Sequence, residues 1–339
     1  MTRPVRQAAG QRQRQRWHTP PEALGLTWHD AATLVPLEAH PGGPLPFRIG
    51  AYGADGAALL DVAHRRGAFV SELAPAAPAE EDWPGEAVYA GVLWNHFGHF
   101  LLESLARAWA LAALPGPILW HAKGQQGCLS AWQVAILERL GLAEREHRII
   151  ERPLRVARLA VPDMGFVARR FLHPRQAAAL AVHPFRTPEP GRRVWLSRLL
   201  LPAALAHVEG EAEIEASLAA RGWTILRPET LSIPEQLAAL EAAAVIAGIE
   251  GSAFHSLVLG RGVRARIVIF DRGRRINPNF ELVADAKGLD QRAVSLQLDH
   301  LRGEGVRASY RLARPEEALA ALDAAGDGLG EGTDEHEAG

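Results

Sequence analysis

Four side chains in the stretch NHFGHFLLESLAR could do chemistry together: His96, His99, Glu103 and Arg107 recur at three- and four-residue spacing. At about 100° per residue they share one face of a helix, while the apolar residues, Phe100 excepted, cover the other. A histidine held by a carboxylate four residues on has the parts of a general base. Asn95 is placed to cap the helix, and with His96 it would face a bound substrate. Two other readings stay open. The same residues form a solvated polar face, or His99 and Glu103, with His96, ligate a metal, although no spaced partner motif supplies further ligands.

A second constellation is Gly248-Ile249-Glu250-Gly251-Ser252-Ala253-Phe254-His255, where an apolar run meets two glycines and a serine before a new helix. Backbone N–H groups and the positive helix end would then lie at a strand's carboxyl edge, a site suited to diphosphate. The plainer reading is a strand–helix turn capped by Ser252. The segment lacks the Gly-Lys-Ser/Thr of a Walker loop and the spacing of the dinucleotide fingerprint. Third, Ser197-Arg198 ends the apolar run RRVWLSR, where an arginine can pair bidentately with phosphate or simply sit at the surface. Cys128 is the single cysteine, has no base near it in sequence, and reads as structural.

The elements that must position these groups follow from the patterning. EAVYAGVLW reads as a buried strand, residues 95–114 as one long helix ended by Pro115-Gly116, PILWHA as a strand, residues 129–142 as a helix and RLAVPDMGF as strand and loop. Before residue 82 the chain reads as irregular, with strand-like pieces GLTW and FRIGAY. HPFRTPEPGR, three prolines in eight residues, is the best linker. Beyond it strands 192–198, 223–229, 245–251, 264–270 and 292–298 alternate with helices, and Ser232 with Glu235 forms a capping box. Residues 252–260 read as a short helix and 314–326 as a surface helix packing back. This alternation predicts an α/β protein with doubly wound, mostly parallel sheets covered on both faces. Two Rossmann-like domains are expected. Their bounds are a basic disordered tail at 1–22, a first domain at 23–185, a second domain at 186–305, a returning helix at 306–325 and an acidic disordered tail at 326–339.

Composition narrows the classes. The chain has 339 residues, 48% hydrophobic and 22% charged, enough for substantial cores without disulfide or metal staples. A net charge of −2 argues against nucleic acid as a partner. One cysteine excludes an internal disulfide and suits a reducing compartment. No run approaches a membrane span, and the basic N-terminus lacks the apolar core of a secretory signal, so the expected location is the cytoplasm. Arg3, Arg6, Arg12, Arg14 and Arg16 allow a weak contact with an anionic membrane surface.

Taken in order, Asn-x-x-x-His-Phe-x-x-Glu, then Ser-Arg after a strand, then GWTILRPETLSIPEQLAALEAAAVIAGIEGSAFHSLV, resemble the family 61 glycosyltransferases, over about residues 86–270. The resemblance implies a GT-B fold and an inverting transfer from a nucleotide sugar, UDP-linked by expectation, to a glycan or lipid-linked glycan, as in bacterial capsule and exopolysaccharide assembly. It implies no obligatory metal and no further cofactor. By position, Asn95, His99 and Glu103 match the helix motif, Ser197 and Arg198 the Ser-Arg step, Glu235 and Gln236 the helix before the turn, and Gly248, Gly251 and Ser252 the turn. Many members carry His-Gly where this chain has Glu250-Gly251. Glu250 is therefore expected to face sugar hydroxyls or acceptor, as second choice for the base after His99, with His255 replacing the histidine. The same departure motivates the alternative, a non-catalytic subunit that binds sugar nucleotide or glycan.

Overall fold

The computed structural model describes residues 19–123, 127–202, 207–272, 275–303 and 308–326, with side chains as far as residue 324. The arginine-rich start and the acidic end fall outside the described residues, apart from 19–22 and Gly326.

The first half builds a seven-stranded sheet from β1 (Leu26–Ala39), β2 (Phe47–Tyr52), β3 (Glu72–Leu73), β4 (Glu81–Leu93), β5 (Ile118–Ala122), β6 (His147–Ile149) and β7 (Leu154–Pro162), in the order β3-β2-β1-β7-β4-β5-β6. Pairs β7–β4, β4–β5, β5–β6 and β2–β3 are parallel, whereas β1 runs antiparallel to both its neighbours. The sheet is mostly parallel, as expected, with β1 as its antiparallel member. One expectation fails here: the region before residue 82 is not irregular, because β1 lies between β2 and β7. The pattern of β1 hides this: Pro36 stands at a register shift between Val35 and Glu38, which interrupts the two-residue alternation.

Alternate residues of β4 feed two cores. Val88 and Ala90 join the helices on one face, and Ala87 and Tyr89 pack with Leu34, Phe47 and Val156 on the other. The expected long helix is broken into α1 (Phe97–Leu102), a 3-10 turn over Ser104–Arg107, and α2 (Ala108–Leu111). Glu103 and Arg107 are each only 1% exposed, so the second half of the polar face is buried, whereas His96 is exposed and His99 partly so. Arg107 is satisfied inside, donating from Nε to Pro162 O at 2.7 Å and from Nη2 to Asp61 O at 3.0 Å. Next come α3 (Ala131–Arg139) and α4 (Pro174–Leu180).

The second half builds a fully parallel five-stranded sheet from β8 (Arg193–Leu196), β9 (Thr224–Leu226), β10 (Val245–Ile249), β11 (Arg266–Asp271) and β12 (Gln291–Ser295), in the order β9-β8-β10-β11-β12. Helices α5 (Glu211–Ala220) and α8 (Pro315–Gly326) cover one face. Helices α6 (Ile233–Leu240) and α7 (Pro278–Lys287), with a 3-10 helix over Ser252–Leu259, cover the other. The returning helix thus packs on the second sheet. The strand expected at 292–298 ends at Ser295, and Leu298–Arg302 instead pairs antiparallel with Ser309–Leu312.

The two halves share one apolar core. Leu101 and Leu105 from the first cluster with Ile233, Leu237, Val258, Leu282 and Val283 from the second. Each such side chain contributes about 1.5–3 kcal/mol when fully buried, so parting the halves would expose a substantial apolar surface. The proline-rich segment is docked along it: His183–Pro184 pairs in parallel with Gly260–Arg261, and Arg186 N donates to Glu241 O at 2.8 Å. It is a strap rather than a free linker. Cys128 is exposed, which removes it from the structural core that the sequence suggested.

Candidate functional site

In a five-stranded order in which the first strand lies between the second and third, connections leave the sheet in opposite directions from the first and third strands, and a crevice opens beyond their carboxyl ends. Here those strands are β8 and β10. The residues that follow them are Ser197-Arg198 and Glu250-Gly251-Ser252, so two motifs far apart in sequence meet at the switch point. A cleft of about 620 Å³ lies there, lined on one side by Ser197, Arg198, Gly251 and Ser252 and on the other by Asn95, His96 and Phe97. Trp132, Leu231, Ile233 and Phe254 make much of the wall apolar.

Gly251 has φ −165°, extended backbone open to any residue, so its role is space. A Cβ there would collide with the Arg198 guanidinium, which lies directly against the turn. Burial first, and then the charge of Arg272, push Arg198 down to about 10, while Glu211, Glu250 and Glu229 oppose the shift. It therefore stays cationic at neutral pH. Glu211 lies beneath it, 1% exposed, and accepts from Arg198 N at 3.0 Å. Burial raises the Glu211 carboxyl to about 7. Gly248 is not at the cleft: within β10, a Cβ on it would meet Leu196 O at 2.8 Å, so it serves strand spacing.

Opposite, α1 begins after Trp94, and its N-cap is His96 rather than Asn95, without a side-chain capping bond. His99 donates from Nδ1 to Glu103 Oε1 at 2.5 Å, and His64 donates from Nε2 to Glu103 Oε2 at 3.2 Å. Arg66 Nη2 stands 3.3 Å from Glu103 Oε1 and 3.4 Å from His99 Nε2. Burial alone would raise the Glu103 carboxyl, but the bonds from His64 and His99 and the Arg66 charge hold it far below the usual carboxylate range. Glu103 is thus a fixed anion that holds His99 through Nδ1, while Arg66 Nη2 lies beside the ring, 3.2 Å from Nδ1, and His99 stands behind His96 rather than in the cleft wall. The rings of His99 and His96 are 4.9 Å apart, which links this cluster to the cleft.

Several sequence-predicted residues have other work. Glu250 does not face the cleft. It is 9% exposed and accepts from Asn277 N at 3.2 Å and Arg272 N at 3.4 Å, tying down the loop after β11. His255 is 7% exposed and stacks on Phe280 with centroids 4.4 Å apart. Burial lowers it to about 3, so it is a neutral ring under α1 rather than a donor contact. Glu235 closes the capping box with Ser232, its Oε2 accepting from Ser232 N at 2.7 Å. Gln236 does line the cleft and fixes its rim by donating to Pro228 O and Leu231 O at 2.8 and 3.0 Å.

Sequence reasoning missed His64 and Arg66, and with them Trp94, whose ring lies 4.9 Å from that of His99, and Lys123, whose ammonium lies 4.2 Å from the Trp94 ring centroid. Arg66 sits on a two-stranded hairpin, Arg65–Arg66 with Phe69–Val70, turned at Gly67. The signal available was weak: a histidine and two arginines in a segment without periodicity. Among the described residues, no group of three His, Cys, Asp or Glu is placed to hold a metal ion. Nor is any helix long and apolar enough to cross a membrane.

Residues 97–265, about half of the chain, match the family model Glycosyltransferase 61, and this supports glycosyltransferase family 61 and, with it, glycosyltransferase activity. No curated protein matches the chain. The matched stretch holds His99, Glu103, Arg198 and Gly251, whereas His64 and Arg66 lie outside it.

Proposed function

We propose that the protein is an inverting glycosyltransferase that moves a sugar from a nucleotide-sugar donor, UDP-linked, to a glycan or lipid-linked glycan acceptor. The observation that carries this reading is the meeting, across one cleft, of the Arg198–Gly251 turn at the switch point with the His96 end of the His99–Glu103 pair. The donor diphosphate would lie against the Gly251-Ser252 backbone and Arg198, with Ser197 and Gln236 on its rim. The acceptor would approach from Asn95 and His96. His99 Nε2 takes the proton of the acceptor hydroxyl, whose oxygen forms a bond to the anomeric carbon on the face opposite the leaving group. The bond from that carbon to the phosphate oxygen breaks, and the nucleoside diphosphate leaves with the electron pair. Arg198 offsets the charge growing on it, a task that requires no metal. Ionised Glu103 stabilises the imidazolium that forms.

The role proposed for the product is assembly of a bacterial surface polysaccharide in the cytoplasm. The domain division proposed places the acceptor on residues 23–185 and the donor on 186–305. A non-catalytic subunit is the lesser reading, since Glu250, its motive, serves the loop after β11. The test is His99→Ala: UDP binding by calorimetry persists while transfer from UDP-sugars to glycan acceptors is lost. Equal transfer by the variant removes His99 from the base role. Failure of the unaltered protein to bind UDP or any other nucleoside diphosphate removes the reading itself.

A further inference from the structure

Beside the cleft, the side chains around Trp94 carry more donors and more positive charge than the protein matches. Lys123 Nζ lies 4.2 Å from the Trp94 ring centroid, and Arg66 Cζ lies 5.6 Å from the same centroid. The carboxylate that reaches this group is Glu103, and its oxygens already serve His64, His99 and Arg66. Among the described residues Lys123 has neither an ion-pair partner nor a hydrogen-bond acceptor, and the buried Trp94 indole N–H also lacks an acceptor. Burial, and then the Arg66 charge, push the Lys123 ammonium below its ordinary value. Both cations lie against the same ring and repel one another, which is costly in a half-buried place unless an anion joins them. Donors without acceptors call for an oxyanion.

We infer that the acceptor carries an acidic group, a carboxylate or a phosphate ester, which Arg66 and Lys123 receive beside Trp94. This rests on the glycosyl-transfer reading for the word acceptor, but the anion site itself stands on the cluster alone. An anion there would lie next to His99, one ring away from the cleft, and its sugar would extend past His96 towards the donor. Arg66, which now stands against His99 Nε2, would turn to the incoming anion and leave that nitrogen free for the hydroxyl proton. The chain has two lysines against 35 arginines, so a compact ammonium at position 123 is unusual for this sequence.

The experiment is saturation-transfer NMR on the full chain with glucuronate, glucose 6-phosphate and glucose as probes, and with UDP as a separate ligand. The proteins are the unaltered chain, Lys123→Met, Lys123→Arg and Arg198→Ala, each checked for an unchanged melting temperature. At least one acidic sugar should bind at least about tenfold more tightly than glucose, and less tightly as salt screens the charges. For the acidic sugar, Lys123→Met should lose about tenfold and Lys123→Arg should keep most of the affinity, while Arg198→Ala should weaken UDP and leave the acidic sugar's affinity within about twofold. Binding of glucuronate alone identifies a uronate, and binding of glucose 6-phosphate alone a phosphate ester. The inference is overturned if neither acid binds, if glucose binds equally well, if Lys123→Met binds like the unaltered chain, or if Arg198→Ala abolishes binding. UDP separates the two claims. Acid binding through Lys123 without nucleoside diphosphate binding sinks glycosyl transfer alone, and UDP binding without acid binding sinks this inference alone.

Discussion

Replacing Gly251 by alanine tests whether the turn after β10 and Arg198 form one anion site. The backbone at φ −165° accepts alanine, so no conformational strain is expected. The new methyl instead collides with the Arg198 guanidinium, which must swing away from the turn. A unit charge 4 Å from a phosphate charge is worth about 4 kcal/mol at an effective dielectric constant of 20, and about 2.8 kcal/mol at 6 Å. Loss of a charged hydrogen bond would add about 1.5–3 kcal/mol. A displaced Arg198, losing about 1.3 kcal/mol of attraction and the hydrogen bond, should therefore weaken UDP binding by about 100- to 1,000-fold, and Arg198→Ala by at least as much, with little change in stability. Isothermal titration calorimetry with UDP reads the first quantity and thermal melting the second. Gly248→Ala is the contrast: its Cβ would meet Leu196 O inside the sheet, so it should cost stability rather than affinity. UDP binding within about twofold of the unaltered protein, in Gly251→Ala and Arg198→Ala alike, would refute the assignment.

Three further perturbations address the supports of the site. Gly98→Ala drives a Cβ to 2.7 Å from His255 Cδ2 and 3.1 Å from Ser252 Cβ, so it should cost about 1–3 kcal/mol, seen in urea unfolding, by prising α1 from the 3-10 helix. An unchanged midpoint would mean that the two elements part freely. Glu103→Gln leaves three donors around a neutral amide and should cost about 3–5 kcal/mol and abolish transfer. A loss of activity at full stability would show that its anion matters to the chemistry alone. Glu211, raised to about 7, holds its proton in the fold at pH values where the unfolded chain has released it. The folded state then binds more protons between about 4.5 and 7, so this group's stabilisation is complete below that window and is lost as pH rises through it, by about 3 kcal/mol. His121 and His255, lowered by burial, tilt the total the other way. The quantity to measure is therefore the difference between the unaltered chain and Glu211→Gln, and a difference flat with pH would contradict the shift.

What could be read along the chain was what neighbours in sequence decide. The Ser232–Glu235 box, the strand–glycine–helix passage at 245–259 and the parallel order of the second half depend on hydrogen bonds and periodicities spanning a few residues. For the same reason the four-residue spacing of His99 and Glu103 foretold their hydrogen bond. Tertiary structure decided what those groups are for. Glu103 became a buried anion because His64 and Arg66, more than 30 residues away, converge on it, and no local pattern encodes that charge compensation. Glu250 and His255 stand in the most recognisable motif of the chain, yet the loop after β11 and Phe280 claim them. Strand β1 was legible only at its start, in GLTW, because its partners β2 and β7 hold the rest by long-range pairing across an irregular register. Sequence fixes which residues can meet a neighbour within a turn or two. Burial, which sets the energy of every charge in this site, is known only when distant segments have packed.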